Sequence, residues 1–327
     1  MNEYNFNLKN DPYFQNDYIS LYAKEGELFI FTYEKNNYYF INKTLKRPIK
    51  QIGKKILNGK YFDLETAYGY GGFYTNTDDL DFINEALTAY QKKCLDENII
   101  AEFIRFHPFN SFPIKHSDFF DFNHYDRDVV IVDLSNDILS SYKSKVRNII
   151  KKAVSLIHIE ESQNIDSFID LYYETMKKNN ADNFYFFDKS YFQNILKQPF
   201  TKLYEAKIDD FIVAMGIFMF GSDIAHYHLS ANSQLSYKYN ANYALLHYLF
   251  SIAQGKGLKY FLLGGGTTSD PNDPLFKFKK KFSNKTLPFY ISGKIYNYEV
   301  YNNYNKLWQE QSDYDIKYFL KYRLKIK

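Results

Sequence analysis

Between residues 201 and 266 the sequence runs through three apolar strands, one long amphipathic helix and one strand that ends in glycines. Few folds accept that order. TKLYEAKID (201–209), DFIVAMGIFMFG (210–221) and DIAHYHLSAN (223–232) read as an antiparallel meander, with tight turns at Asp209-Asp210 and Gly221-Ser222. ANYALLHYLFSIAQGKG (241–257) has apolar residues at helical spacing and stops at Gly255 and Gly257. KYFLLGGG (259–266) is a strand closed by glycines. The start of the helix, Asn240-Ala241-Asn242, offers free backbone N–H groups and the positive end of a helix dipole, which suits an anion. The plain alternative is a meander with a covering helix.

The first part of the chain repeats the theme. GELFIFTYEKNNYYFINKTL (26–45) gives two strands around a Glu-Lys-Asn-Asn turn at 34–37. FDLETAYGYGGFYTN (62–76) is a strand running into a glycine turn. Residues 79–99 place Phe82, Ile83, Leu87, Tyr90 and Leu95 at helical spacing, and IIAEFIRFHPF (99–109) returns as a strand. VVIVDLS (129–135) is another strand, after which a Ser135 or Asn136 cap starts a helix; further helices follow at 167–180 and 190–198. PLFKFKKKFSNKTLPFYISGKIYN (274–297) reads as a helix or turn, then a strand. The segment around 110–128 has no clear period and marks a boundary. The expected division is an N-terminal domain over 1–125, a C-terminal domain over 126–300 and a basic helical tail over 301–327.

Composition narrows the class. The 327 residues suffice for two domains, and 33 Tyr with 31 Phe exclude a disordered chain. The single Cys94 excludes a disulfide framework and a cysteine-based zinc site. The first residues lack the apolar run of a signal peptide, and stretches such as 211–221 are too short to span a bilayer, so a cytoplasmic location is expected. A net charge of +3 argues against an extended nucleic-acid groove.

Several residue groups can carry chemistry. His226 and His228 share a strand face, with Ser230 continuing it; imidazole suits removal of a proton from an attacking ammonium near neutral pH. Either can equally be a satisfied core histidine, and no neighbouring Asp, Glu or Cys completes a metal set, so no metal is expected. Asp273 can take a proton or orient the amine, or simply cap the next helix. Tyr68, Tyr70 and Gly71 lie in a glycine-dense segment that lets a ligand approach the backbone, or that only makes a tight turn. Arg105 and His107, two apart, can hold a carboxylate or phosphate. Gly264 and Gly265 end a strand with N–H groups suited to an oxyanion or phosphate. Basic clusters at Lys143, Lys145, Arg147, Lys151 and Lys152, and at Lys277, Lys279, Lys280, Lys281 and Lys285, are either solvated faces or phosphate sites.

Eight pieces in order carry a resemblance: ETAYGYGGFYTN (65–76), EFIRFHPF (102–109), VVIVDLS (129–135), KVRNIIKKA (145–153), DLYYETMKKNNADNFYFF (170–187), HYHLSAN (226–232), NANYALLHYLFSIAQGKGLKYFLLGGG (240–266) and DPLFKFKKKFSNKTLPFYISG (273–293). Together they resemble the FemAB-like branch of the GNAT acyltransferase superfamily, whose best-known members build peptidoglycan cross-bridges. The resemblance implies an α/β (α+β) fold of two tandem GNAT-like domains, with mixed, mostly antiparallel sheets flanked by helices. It implies transfer of an acyl or aminoacyl group to an amine of a cell-envelope glycan or peptidoglycan precursor. No tightly bound cofactor is implied; the co-substrate is acyl-CoA or aminoacyl-tRNA.

With an acyl transfer as the leading reading, the candidates sort by role. His226, His228 or Asp273 would take the proton. Tyr68, Tyr70, Gly71, Arg105, His107, Arg147, Ser230 and Lys279 would bind the acceptor, a glycan or a nucleotide- or lipid-linked sugar. Asn240, Ala241, Asn242, Gly264 and Gly265 would bind the donor. CoA users carry glycines at the start of the helix, but SQLSYKYNAN (233–242) has none, and Tyr239 or Asn240 stands there instead. FKKKF (278–282) resembles the Phe-Lys-x-x-Phe stretch of the cross-bridge enzymes and nominates Lys279, while no long helical arm for charged tRNA is visible. Two other classes compete: a non-catalytic glycan- or phosphate-binding module, and a peripheral protein docking on anionic membrane through KYFLKYRLKIK (317–327).

Overall fold

The computed structural model describes residues 7–326. It divides into two units. The first takes Tyr13–Asp126 and the chain from Pro288 on, with the residues up to Lys9; the second takes Asn10–Pro12 and Arg127–Leu287. The division at 126/127 falls beside the expected boundary, but the second unit stops at Leu287 and the chain then rejoins the first.

In the first unit, Glu27–Lys35 and Tyr38–Pro48 form an antiparallel hairpin. Its turn is made by Asn36 and Asn37 at φ 52° and 67°, the left-handed conformation that asparagine tolerates. Tyr38–Pro48 pairs antiparallel with Phe62–Glu65, which runs parallel to Ile99–Arg105, and that strand pairs antiparallel with the end of Thr286–Ile295. The connecting helix, Leu80–Asp96, is capped by Asp79, whose side chain accepts from the Phe82 N–H. It buries Phe82, Ile83, Ala86, Leu87, Tyr90 and Cys94. Leu95, expected on that face, lies one position off the stripe and is exposed.

The expected basic helical tail is part of this core. Trp308, Leu320 and Tyr322 are almost fully buried beside Ile49, Ile52 and Ile100. Arg323 donates to Asp63 at 2.7 Å and to the carbonyls of Pro48 and Arg47. Apolar residues between the basic ones give the segment a face to bury, so its charges do not form a free membrane-binding helix.

In the second unit the meander forms as expected: Thr201–Ile208, Phe211–Phe220 and Ile224–Asn232 are antiparallel neighbours. His158–Glu161 adds an edge strand. Ile224–Asn232, the histidine strand, runs parallel to Tyr260–Gly264, which pairs antiparallel with the end of Phe122–Asp133. Ser144–Val154 and Ala241–Gly255 pack on one face around Val130, Val132, Phe218, Ala225 and Phe261. Each large apolar side chain that the long helix buries there, such as Leu245, Leu249 or Phe250, stabilises the unit by roughly 1.5–3 kcal/mol.

Two local expectations change. The helix after residue 134 is broken in two. Asp137 caps Ile138–Ser141 by accepting from the Leu139 and Ser140 N–H groups, while the Ser135 hydroxyl and N–H both go to Asp133. An unanticipated short helix, Gln234–Tyr239, precedes the long one, and Asn240 at φ 57° ends the first and begins the second.

Candidate active site

The second unit contains a parallel strand pair that comes apart. Pairing runs only from Ile224 opposite Tyr260 to His226 opposite Leu262. The histidine strand continues to Asn232, held on its other edge by Phe211–Phe220. Gly264, at φ 78°, bends the partner strand towards Val130 with a register shift. A bulge sharpens the divergence: Ile217 faces Leu229 and Phe218 faces Tyr227, so His228 is the extra residue. From Tyr227 onward, one edge of this strand no longer pairs with Tyr260–Gly264. The helix Ala241–Gly255 leaves from that end of the strand, and no side chain caps its N-terminus. The splay therefore places backbone N–H and C=O groups beside a helix start, a fit for an extended ligand with an anionic part.

His226 and His228 do share a face. Ala225 and Tyr227 belong to the core under the long helix, whereas His228 points the other way, its Nε2 2.9 Å from the Tyr191 hydroxyl. Burial, with a smaller contribution from His226, pushes the His228 imidazole down to about 3. It stays neutral at physiological pH and is a poor base. His226 sits where the pairing ends, and its Nε2 lies 2.6 Å from Asp11 Oδ2. Both side chains are buried. Sequence reasoning missed Asp11, because 215 residues separate it from its partner.

The glycine turn is a packed structure. A Cβ on Gly265 would lie 2.8 Å from Arg127 Cδ, and one on Gly266 would lie 2.5 Å from the Asp273 carboxyl. Asp273 Oδ2 accepts from the N–H and hydroxyl of both Thr267 and Thr268; Oδ1 accepts from the Leu275 and Phe276 N–H groups. Burial works against its charge, but the hydrogen bonds from Thr267, Phe276 and Thr268 outweigh it and hold the carboxyl well below the usual carboxylate range. This corrects the base role offered for Asp273: six bonds and a strong acid make it the cap that shapes the turn.

Lys279 is buried, and its Nζ donates to the Gly265 carbonyl at 2.7 Å. Burial, with Arg127 adding to it and Asp273 opposing, brings the ammonium down to about 7. Arg127 donates to the Gly266 carbonyl at 2.9 Å. The other lysines disperse: Lys280 turns to the Asn284 carbonyl, Lys281 to the Tyr243 hydroxyl and Lys285 to Asp133. The run therefore delivers one buried amine rather than a phosphate patch. Arg147 donates to the Tyr142 carbonyl and bridges the two helices there, and Lys143, Lys145, Lys151 and Lys152 are exposed. Ser230 interacts with the Tyr227 hydroxyl, and Ala241 is buried beneath half-exposed Asn240 and Asn242.

The candidates of the first unit have structural partners. Arg105 pairs with Glu65 and donates to the Thr66 carbonyl. His107 is fully buried among Tyr13, Phe14, Tyr70 and Phe109. The two are thus not aimed at one ligand. Gly71 bridges to Phe106, donating to the Arg105 carbonyl and accepting from the His107 N–H. Tyr70 packs edge-on against Tyr13 and Phe289, and Tyr68 accepts a hydrogen bond from Tyr18 at its carbonyl.

By sequence, neither a family model nor a curated protein matches the chain. By structure it is similar to FemX, with a TM-score of 0.69 and 13% identity, over 92% of this chain and 95% of that one. It is also similar to L-PGS from Bacillus licheniformis, with a TM-score of 0.55 and 15% identity over 89% and 92% of the two chains. A conserved protein of unknown function from Bacteroides thetaiotaomicron gives a TM-score of 0.56 at 12% identity, over 88% and 92%. The splayed strand pair, the crossover helix and these likenesses agree on one architecture: the chain has the fold seen in FemX.

Proposed function

We propose that the protein is an N-acyltransferase that forms an amide on an amino group of a cell-envelope glycan or peptidoglycan precursor. The observation that carries this reading is the splay after His226 and Leu262, which exposes strand edge beside a helix start. An acyl donor lying along that edge would bring its carbonyl to the histidine strand. Much of the rate would come from holding amine and carbonyl together. His226 would take the ammonium proton, since His228 is too weak a base and Asp273 is committed to its turn. The amine nitrogen then attacks the carbonyl carbon, a C–N bond forms, and the thioester C–S or ester C–O bond breaks. The leaving sulfur or oxygen keeps the electron pair and takes the proton held by His226, and the acylated nitrogen releases its second proton to water. Backbone N–H groups at the splay would meet the oxyanion.

Aminoacyl-tRNA as donor is the second reading. The short helix Gln234–Tyr239 and left-handed Asn240 occupy the stretch where CoA users carry glycines, which favours an aminoacyl ester. The acceptor would be a nucleotide- or lipid-linked amino sugar or peptide. No helix of the described residues is long and apolar enough to cross a membrane. We place the protein in the cytoplasm, within reach of precursors on the inner membrane face. The test offers amine acceptors with acetyl-CoA or with charged tRNA and reads products by mass spectrometry. A donor-dependent amide that is lost in His226→Gln supports the reading; binding of the acceptor with no amide from any donor would leave the non-catalytic binding module.

A further inference from the structure

Residues 10–12 belong to the second unit although the residues on either side belong to the first. This three-residue stretch is fitted to its place. A Cβ on Gly221, in the turn that leads into the histidine strand, would lie 2.9 Å from Pro12 Cδ, so the bare glycine admits the segment. Beside Pro12, Asp11 is 4% exposed and His226 1% exposed, and the two meet at 2.6 Å. A buried carboxylate is costly unless it is hydrogen-bonded, and here the imidazole Nε2 lies within hydrogen-bond reach of it.

From this geometry we infer that Asp11 is a positioning residue for His226: it holds the proton on Nε2 and fixes the ring plane, so that Nδ1 is the nitrogen that exchanges protons with the acceptor amine. This rests on the acyl-transfer reading for its chemistry, but not for its geometry. In the step, the ammonium gives one proton to Nδ1, and the imidazolium so formed is stabilised by the Asp11 carboxylate, which itself stays ionised. The amine then attacks the thioester or ester carbonyl, the imidazolium returns its proton to the departing thiolate or alkoxide, and the acylated nitrogen releases its second proton to water. Atoms and charge balance, with one proton passed to solvent and no further reactant. A neutral ring held the other way round, with its proton on Nδ1, could not accept the amine proton there.

The test combines kinetics with nitrogen-15 NMR of the imidazoles in the full chain, whose seven histidines are resolved by a His226→Gln control. Asp11→Asn keeps the shape and removes the anion. It is expected to lower kcat by about 10²-fold with KM within about twofold. The His226 signals of the wild type should show the proton on Nε2, and those of the Asp11→Asn variant should show a mixture of the two tautomers. Gly221→Ala displaces the segment without touching either partner; a shift of about 1 Å should cost on the order of 10²-fold in kcat. It serves if the Asp11 variant does not fold. Unchanged kcat in both variants, or a wild-type ring protonated on Nδ1, overturns the inference. If the wild type transfers no acyl group at all, the function proposed above fails, and the NMR arm still decides whether Asp11 sets the tautomer.

Discussion

In both units a helix carries the chain from one strand to a parallel neighbour, but only one of the two strand pairs opens. In the first unit the pair stays closed beyond its ladder. Thr66 donates to the Phe103 carbonyl, the Arg105 N–H to Thr66 Oγ1, Gly71 to the Arg105 carbonyl and His107 to the Gly71 carbonyl. Phe73, Phe106, Phe112 and Phe120 fill the space beneath. In the second unit pairing stops after His226, and Gly264 turns away. The glycines show the contrast. Gly72, at φ 97°, lets the Phe106 ring lie against the backbone and so closes the first pair, while Gly264 to Gly266 turn a strand away from its partner. The same topology thus yields a sealed support in one unit and an open edge in the other, and the open edge is where the proposed chemistry would lie.

The largest test of this contrast is His226→Gln. Loss of a general base should cut kcat by about 10²–10⁴-fold in the product assay. Retention of full rate would remove the open unit's claim. Next is Lys279→Met. The folded Lys279 releases its proton near 7 and the unfolded one near 10.5, so across that window the unfolded chain binds more protons and wild-type stability rises with pH. The variant should lose this rise, on the order of 5 kcal/mol, read from urea midpoints at the two ends.

The sealed unit has the opposite sign. Glu102 accepts from Tyr90, Tyr296 and Asn42, all in its core. Burial, only partly offset by those bonds, pushes its carboxyl up from 4.5 to about 7. Its stabilising contribution is complete below pH 4.5 and is lost as pH rises through 7. Glu102→Gln should remove about 3 kcal/mol of that pH dependence while leaving kcat within about twofold. The smallest pair is Gly72→Ala and Gly265→Ala, each costing about 1–3 kcal/mol by crowding or strain. Thermal melts should register both, but only Gly265→Ala should lower kcat.

Strands and long helices were legible because burial on one face imposes a period of two or 3.6. The meander of 201–232 and the helix from Ala241 follow that rule. Short pieces were not legible. Gln234–Tyr239 has too few residues to show a period, and its boundary rests on the left-handed Asn240. In the site, the resemblance nominates Lys279, and the strand pattern nominates His226 and His228 without choosing between them. Nothing in the local sequence tells that Lys279 is buried against a glycine carbonyl, or that Asp273 spends its oxygens on six donors. Asp11 carries no signal at all, since its meaning depends on a partner 215 residues away. Arg105 and His107 looked like a ligand pair, and only their neighbours show otherwise.

The way the chain is shared between the units also bears on its synthesis. The Ile99–Arg105 strand lacks its neighbour on one side until residues 291–295 have been made, and Trp308 and Tyr322 complete the core beneath it. At a ribosomal rate of about 5–20 residues per second, the first unit waits on the order of ten seconds or more with an unpaired strand edge. Of the two units, the one begun first is therefore finished last, and a nascent chain of this protein should hold chaperones until that strand edge is paired.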